Sequence, residues 1–288
     1  MKDREKKLEQ IIHWAENNTD VRAVLLTSSL VNPYAPVDRF SDLDIELVFQ
    51  NRKTYEDTNE WIALFGVPIS MVEEDDSVFD GKHAMKMVLY KDHVKVDFKL
   101  YQVSEFSEEV QDESLPDDWD VGYRVLIDKD GLTKELKAPT YQSIMIHQPT
   151  EKKFKQLLND FWWDMAYVAK CLKRGDIFYA KFMSEDILRT DYLVPLIEWY
   201  IASIHGWNNI TTNKHGRLFK KYLSPELWHR VEATFSGSDL EENWAALFAF
   251  GDLVHELGTI LAEKLDFDYP FQHETDIRNY LKEVKALP

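Results

Sequence analysis

The chain has 288 residues, 44% of them hydrophobic, with 16 Phe, 13 Tyr and 9 Trp; that excludes global disorder and allows one large domain or two modest ones. Its single cysteine, Cys171, excludes a disulfide framework and a cysteine-rich zinc site, and fits a cytoplasmic protein. The formal net charge is −17, with 30 acidic and 17 basic residues in 1–150 against 21 and 17 in 151–288. This argues against a basic nucleic-acid surface, while an acidic one either steers cationic ligands or simply keeps the chain soluble.

The opening segment MKDREKKLEQIIHWAE has no apolar signal core. Leu8, Ile11, Ile12 and Ala15 recur at helical spacing and predict a helix over 4–17. Val21 to Thr27 reads as a buried strand and 44–49 as a second. Residues 55–65 read as a short helix, and 68–72, 85–90 and 94–101 as strands, the last two joined by a turn at Lys91-Asp92-His93. Residues 123–128 read as an edge strand. After Thr150 the period changes to 3.6. Thr150 is placed to cap a helix that Gly175 closes. A second helix is expected over 176–203, kinked or broken at Pro195. Further helices are predicted over 214–222, from Pro225 to 235, over 240–265 and over 273–284. No apolar run approaches the roughly 18 residues of a membrane span. The expected fold class is therefore α/β (α+β): a mixed sheet with flanking helices in 1–149, then a helical bundle in 150–288.

The residues with chemical potential lie between Val21 and Phe49. A hydrophobic strand ends in Thr27-Ser28-Ser29, and Ser41-Asp42-Leu43-Asp44 leads into the next strand. If the strand already starts at Asp42, Asp42 and Asp44, two residues apart, point to one side of it. Two such carboxylates suit magnesium, which takes oxygen ligands together with water and substrate phosphates. Asp97 sits between Val96 and Phe98, where a charge is costly unless paired or metal-bound. The hairpin formed with 85–90 can bring it beside Asp44, and three carboxylates there would suit phosphoryl or nucleotidyl transfer. Other readings stay open at this point. Asp42 can terminate a turn, and Asp97 can pair with Lys95 or Lys99, which flank it at spacing two.

With these residues in place, the chain resembles the aminoglycoside 6-adenylyltransferases, also called streptomycin adenylyltransferases, of the polymerase-β-like nucleotidyltransferase superfamily. The superfamily pattern of Gly-Ser, Asp-x-Asp and a later Asp matches Ser28-Ser29, Asp42-x-Asp44 and Asp97. Asn32, Asp38, Phe40 to Asp44 and Val125 to Asp130 also follow family order. So do Asp160-Phe161-Trp162, Tyr167-Val168-x-Lys170, Lys220-x-Tyr222-Leu223-Ser224, Trp244-x-Ala246-Leu247-Phe248 and Tyr269-Pro270. Two departures fall in one loop, where the family's Gly-Ser-Arg reads Ser28-Ser29-Leu30. A glycine allows close approach to a triphosphate and a positive φ, and an arginine pairs with phosphate.

The resemblance implies a catalytic domain over 1–149 and a helical substrate-binding domain over 150–288. It implies AMP transfer from ATP to a hydroxyl of a streptomycin-like aminoglycoside. Asp42, Asp44 and Asp97 would be catalytic and hold Mg2+, while Ser28, Ser29 and Lys214 would meet the nucleotide. The implied partners are the nucleotide and a cationic acceptor, with no nucleic acid and no membrane, in a monomer or weak homodimer. The alternatives are nucleotidyl transfer to another small molecule or a protein, or an inactive relative that binds a nucleotide or cation.

Lys214, His215, Arg217, Lys220 and Lys221 form a basic island, which is also what a solvated helix face looks like. Phe161-Trp162-Trp163 reads as core, with one tryptophan left outside it. Asp160, Asp164 and Glu185 can line a pocket for amino groups.

Overall fold

The computed structural model describes residues 2–288. These fall into two compact units that meet between Ile144 and Met145, just upstream of the change of period at 150.

In the first unit, α1 (Lys2–Asn17) precedes six strands: β1 (Val21–Thr27), β2 (Leu43–Phe49), β3 (Pro68–Glu74), β4 (Ala84–Tyr90), β5 (Lys95–Gln102) and β6 (Tyr123–Asp128). They form one sheet in the order β3-β4-β5-β2-β1-β6. Only β2 and β5 run parallel; the other neighbours are antiparallel, so the sheet is mixed. Side chains alternate between its faces. On one face Val24, Leu26, Leu43, Ile45, Leu47, Phe49, Val96, Phe98 and Leu100 pack with Ile11 and Ala15 of α1. On the other, Ala23, Leu25, Val48 and Tyr101 pack under Phe106, Val110 and Trp119. Each large apolar side chain so buried contributes about 1.5–3 kcal/mol.

Two expectations change here. Residues 55–65 are not one helix: α2 (Arg52–Glu56) ends early, and a separate 3-10 turn covers Ile62–Phe65. Between β5 and β6 stand α3 (Val103–Gln111), which the hydrophobic pattern did not suggest, and α4 (Asp117–Asp120). Gln102 and Glu105 form a reciprocal cap at the start of α3.

The second unit is helical. It contains α5 (Glu151–Arg174), α6 (Ile177–Lys181), α7 (Val194–Ile204), α8 (Phe219–Tyr222), α9 (Pro225–Glu232), α10 (Leu240–Leu265) and α11 (Phe271–Ala286). Phe154, Leu158, Phe161, Trp162, Met165 and Val168 of α5 face Leu247, Phe250, Val254 and Leu257 of α10 in one core. Where one helix kinked or broken at Pro195 is expected over 176–203, the chain stays helical but changes hydrogen-bond register ahead of the proline. A π-helix over Phe182–Leu193 carries the chain into α7, with Pro195 in its first turn. The change of register puts the missing proline N–H at a helix start, where it costs least. Although no unbroken apolar run reaches 18 residues, α10 is by length and composition apolar enough to cross a membrane. Its apolar length is explained by its burial in this core, where Leu247, Phe250, Leu253, Val254, Leu257 and Leu261 are each at most 2% exposed.

Thr150 accepts a hydrogen bond from the Lys153 amide, and Gly175 closes α5 in the left-handed region. Replacing Thr150 with Ala should therefore lower stability by about 1 kcal/mol, whereas Ser should retain the cap. Urea midpoints measure both, and an Ala variant as stable as the parent would remove the cap from the account.

Candidate active site

Four strands bring polar residues to one sheet end. β1 ends where β2, β5 and β6 begin: Leu26 pairs with Ile45, Leu43 with Val96, and Thr27 with Tyr123. The Ser28–Leu30 turn follows β1 directly, Asp42 immediately precedes β2, and Asp44 is its second residue. The parallel register sets Asp44 opposite Asp97. Strand alternation puts Asp44, Glu46, Asp97 and Lys99 on the face away from α1.

Lys95 lies on the same side of β5, two residues before Asp97. Its Nζ stands 3.1 Å from Asp42 Oδ2 and 2.6 Å from Asp97 Oδ2. Of the two partners left open in the sequence, the structure thus gives Asp97 to Lys95. The Asp97 side chain is 16% exposed, and its Oδ1 is buried without a hydrogen-bond partner. Carboxylate oxygens are donors that magnesium takes, and here two of them hold an ammonium. Among the described residues, no three carboxylates, imidazoles or thiols converge closely enough to hold a metal as they stand. The donor type suits the ion, while the arrangement holds the Lys95 ammonium.

Behind this group lies a pair that the sequence reading did not single out. Glu46 faces Lys99 across the parallel register, 3.9 Å apart. Thr27 Oγ1 donates to Glu46 Oε1 at 3.1 Å, while Oε2 is buried and unpartnered. Burial pushes the Glu46 carboxyl above the usual range, against the opposing pull of Lys99 and Thr27. Lys99 also pairs with Asp118 of α4. The signal was present in the period: DLDIE and KVDFK carry a charge at every second position.

The loops are held locally. Arg4 of α1 donates to the carbonyls of Asp38 and Ser41 at 2.8 and 2.9 Å, fixing the approach to Asp42. Asn32 caps the next turn through the Tyr34 amide. The amides of Val31 and Asn32 both donate to the Ser28 carbonyl. Ser28 has φ +60°, the left-handed region that favours glycine. Leu30 packs against the core beneath α1.

Lys214 belongs to the second unit, in a turn over Lys214–Gly216 with Asn213 and His215 both at positive φ. Of the basic island, Lys220 and Lys221 lie over the rings of Trp228 and Tyr222. Trp162 is fully buried, and Trp163 is the exposed tryptophan at 59%. Asp164 accepts from the Tyr192 hydroxyl at 2.7 Å. Glu185 already pairs with Lys181 and Arg189.

Comparison with known proteins adds the family. The family model described as streptomycin adenylyltransferase matches residues 1–284. An aminoglycoside 6-adenylyltransferase of Bacillus subtilis (strain 168) is 27% identical over 288 residues, covering 99% of this chain and 98% of its own. One from Campylobacter jejuni is 28% identical over 284 residues, covering 98% and 95%. The crystal structure of an aminoglycoside 6-adenyltransferase from Bacillus subtilis aligns over 99% of both chains, at 24% identity and a TM-score of 0.48.

Two outcomes follow from the site's geometry. Ser28→Gly should stabilise the protein by about 1 kcal/mol by relieving the left-handed backbone. A lower urea midpoint for this variant would contradict the assigned φ. Glu46→Gln tests the buried charge. A carboxyl whose folded pKa is raised weakens the fold as pH climbs from the unfolded pKa through the folded one. The Gln variant should then match or exceed the parent at neutral pH, and the gain should vanish as pH falls into the carboxylate range. Destabilisation by more than about 1 kcal/mol at neutral pH would mean that the Lys99 and Thr27 contacts outweigh burial.

Proposed function

The chain belongs to the streptomycin adenylyltransferase family, and from that premise we propose that it transfers AMP from ATP to a hydroxyl of a streptomycin-like aminoglycoside. The observation that carries this reading is the family match across residues 1–284. It is supported by relatives named aminoglycoside 6-adenylyltransferase that align over nearly their whole length. The site reading rests on the pairing of Asp44 with Asp97 at the sheet end where the Ser28–Leu30 turn stands.

In this proposal Asp42, Asp44 and Asp97 hold Mg2+. When bound, the ion neutralises charge on the triphosphate and on the departing pyrophosphate. The Ser28-Ser29 turn offers backbone amides and the Ser29 hydroxyl to the phosphates. Lys214 is the further nucleotide-binding cation that the family resemblance implies. The acceptor hydroxyl gives up its proton to a carboxylate as its oxygen attacks the α-phosphorus, and the bond to the departing pyrophosphate breaks. The acidic excess of 1–150 raises the local concentration of a polycationic acceptor. The first unit is the catalytic domain and the helical unit binds substrate. The setting is cytoplasmic, in a monomer or weak homodimer without nucleic acid.

A second reading, binding without turnover, has its own support. Leu30 stands where the family carries arginine, and Lys95 already neutralises Asp42 and Asp97. A pyrophosphate-release assay with ATP, Mg2+ and an aminoglycoside panel separates the two. Turnover is expected with streptomycin, with loss of activity in EDTA and in Asp44→Asn at retained fold. The apparent acceptor affinity should weaken as salt rises, because the attraction is screened over about 8 Å at physiological ionic strength. Tight nucleotide binding without pyrophosphate release would favour the second reading. Turnover unaffected by EDTA would remove the metal.

A further inference from the structure

Lys95 and the carboxylates share one patch of the sheet. Leu43 pairs with Val96 and Asp44 with Asp97. Asp44 and Asp97 share one row of the patch, with Asp42 just before β2 and Lys95 at the start of β5. The ammonium contacts one oxygen of Asp42 and one of Asp97, and its side chain is 37% exposed. The second oxygen of Asp97 is buried and unpartnered. Magnesium coordinates carboxylate oxygens at about 2.0–2.1 Å. The space between Asp42 Oδ2 and Asp97 Oδ2 cannot hold both such an ion and the ammonium.

We infer that Lys95 is a tethered counter-ion that competes with the divalent metal for Asp42 and Asp97, and yields that place when a polyphosphate arrives. This inference rests on the metal reading proposed above and concerns how metal and nucleotide are coupled. Without metal, three carboxylates in adjacent positions repel one another, and one ammonium offsets part of that repulsion. A divalent ion entering alone must displace the ammonium and leave it beside a like charge. An ion entering with a nucleotide brings phosphate oxygens, which give the displaced ammonium a new partner. A lysine suits this exchange, being a compact charge on a flexible stem that can swing without moving the strand. The site should therefore bind metal weakly alone and better with nucleotide, and the reciprocal effect on nucleotide must be equal.

The test is Mn2+ binding to the full chain, with free ion counted by electron paramagnetic resonance. It is run with and without a non-hydrolysable ATP analogue. Lys95→Gln keeps hydrogen-bonding capacity without charge, and Lys95→Met is a second neutral variant. Circular dichroism checks the fold of each. Lys91→Met removes a charge from the preceding turn as a control for general electrostatics. Both Lys95 variants should bind Mn2+ alone about fivefold tighter or more. Their gain from the nucleotide analogue should shrink, and their metal-free melting temperature should fall but recover with Mn2+. Unchanged or weaker Mn2+ binding in both Lys95 variants would overturn the inference, as would an equal gain in Lys91→Met. Failure of every protein, parent included, to bind Mn2+ even with the analogue would instead remove the metal reading, and this inference with it.

Discussion

Carboxylates set side by side on adjacent strands repel each other, and the sheet pairing of β2 with β5 makes that unavoidable here. Their parallel register sets Asp44 against Asp97. Neither strand can slip by one residue to relieve the contact. A slip would turn Leu43, Ile45, Leu47, Val96, Phe98 and Leu100 out of the core beneath α1. The apolar face thus holds the charged face in place. The account of this protein as a nucleotidyl-transfer enzyme depends on that constraint.

Charge is managed in two layers. Nearest the strand ends, Lys95 bridges Asp42 and Asp97 in partly exposed positions, where the ammonium can leave for solvent or ligand. One step further in, Glu46 and Lys99 face each other and Glu46 is fully covered. Thr27 ties Glu46 to the last residue before the Ser28 turn. An inner pair fixed by burial and an outer cation on a flexible stem give the face rigidity where strands pair and freedom where a ligand would bind. In the same turn Ser28 takes a backbone conformation suited to glycine, which carries a conformational cost.

What could be read from sequence was local. The Thr150 cap and the Gly175 stop of α5 depend on neighbouring residues, as does the alternation of the strands, and both appear where their patterns put them. Three features depended on more distant geometry. The π-helix before Pro195 is a choice of hydrogen-bond register that side-chain period does not record. The start of α3 is held by Gln102 with Glu105, not by the Ser or Thr that marks most helix starts. Whether Asp97 would meet Lys95 or Lys99, and that Glu46 would face Lys99, required the cross-strand register. The carboxylates themselves were legible because a charge at every second position of a strand has few uses. The comparison with known relatives supplies the family that the period alone could not.

This face of the sheet is the proposed place of attack on the α-phosphorus of ATP. The most direct measurement follows a radiolabel placed on that phosphorus, in single turnover with streptomycin and Mg2+. The parent should yield labelled streptomycin and unlabelled pyrophosphate, and a folded Asp44→Asn/Asp97→Asn double variant should yield neither. Label transfer by the double variant at the parent's rate would place the chemistry elsewhere.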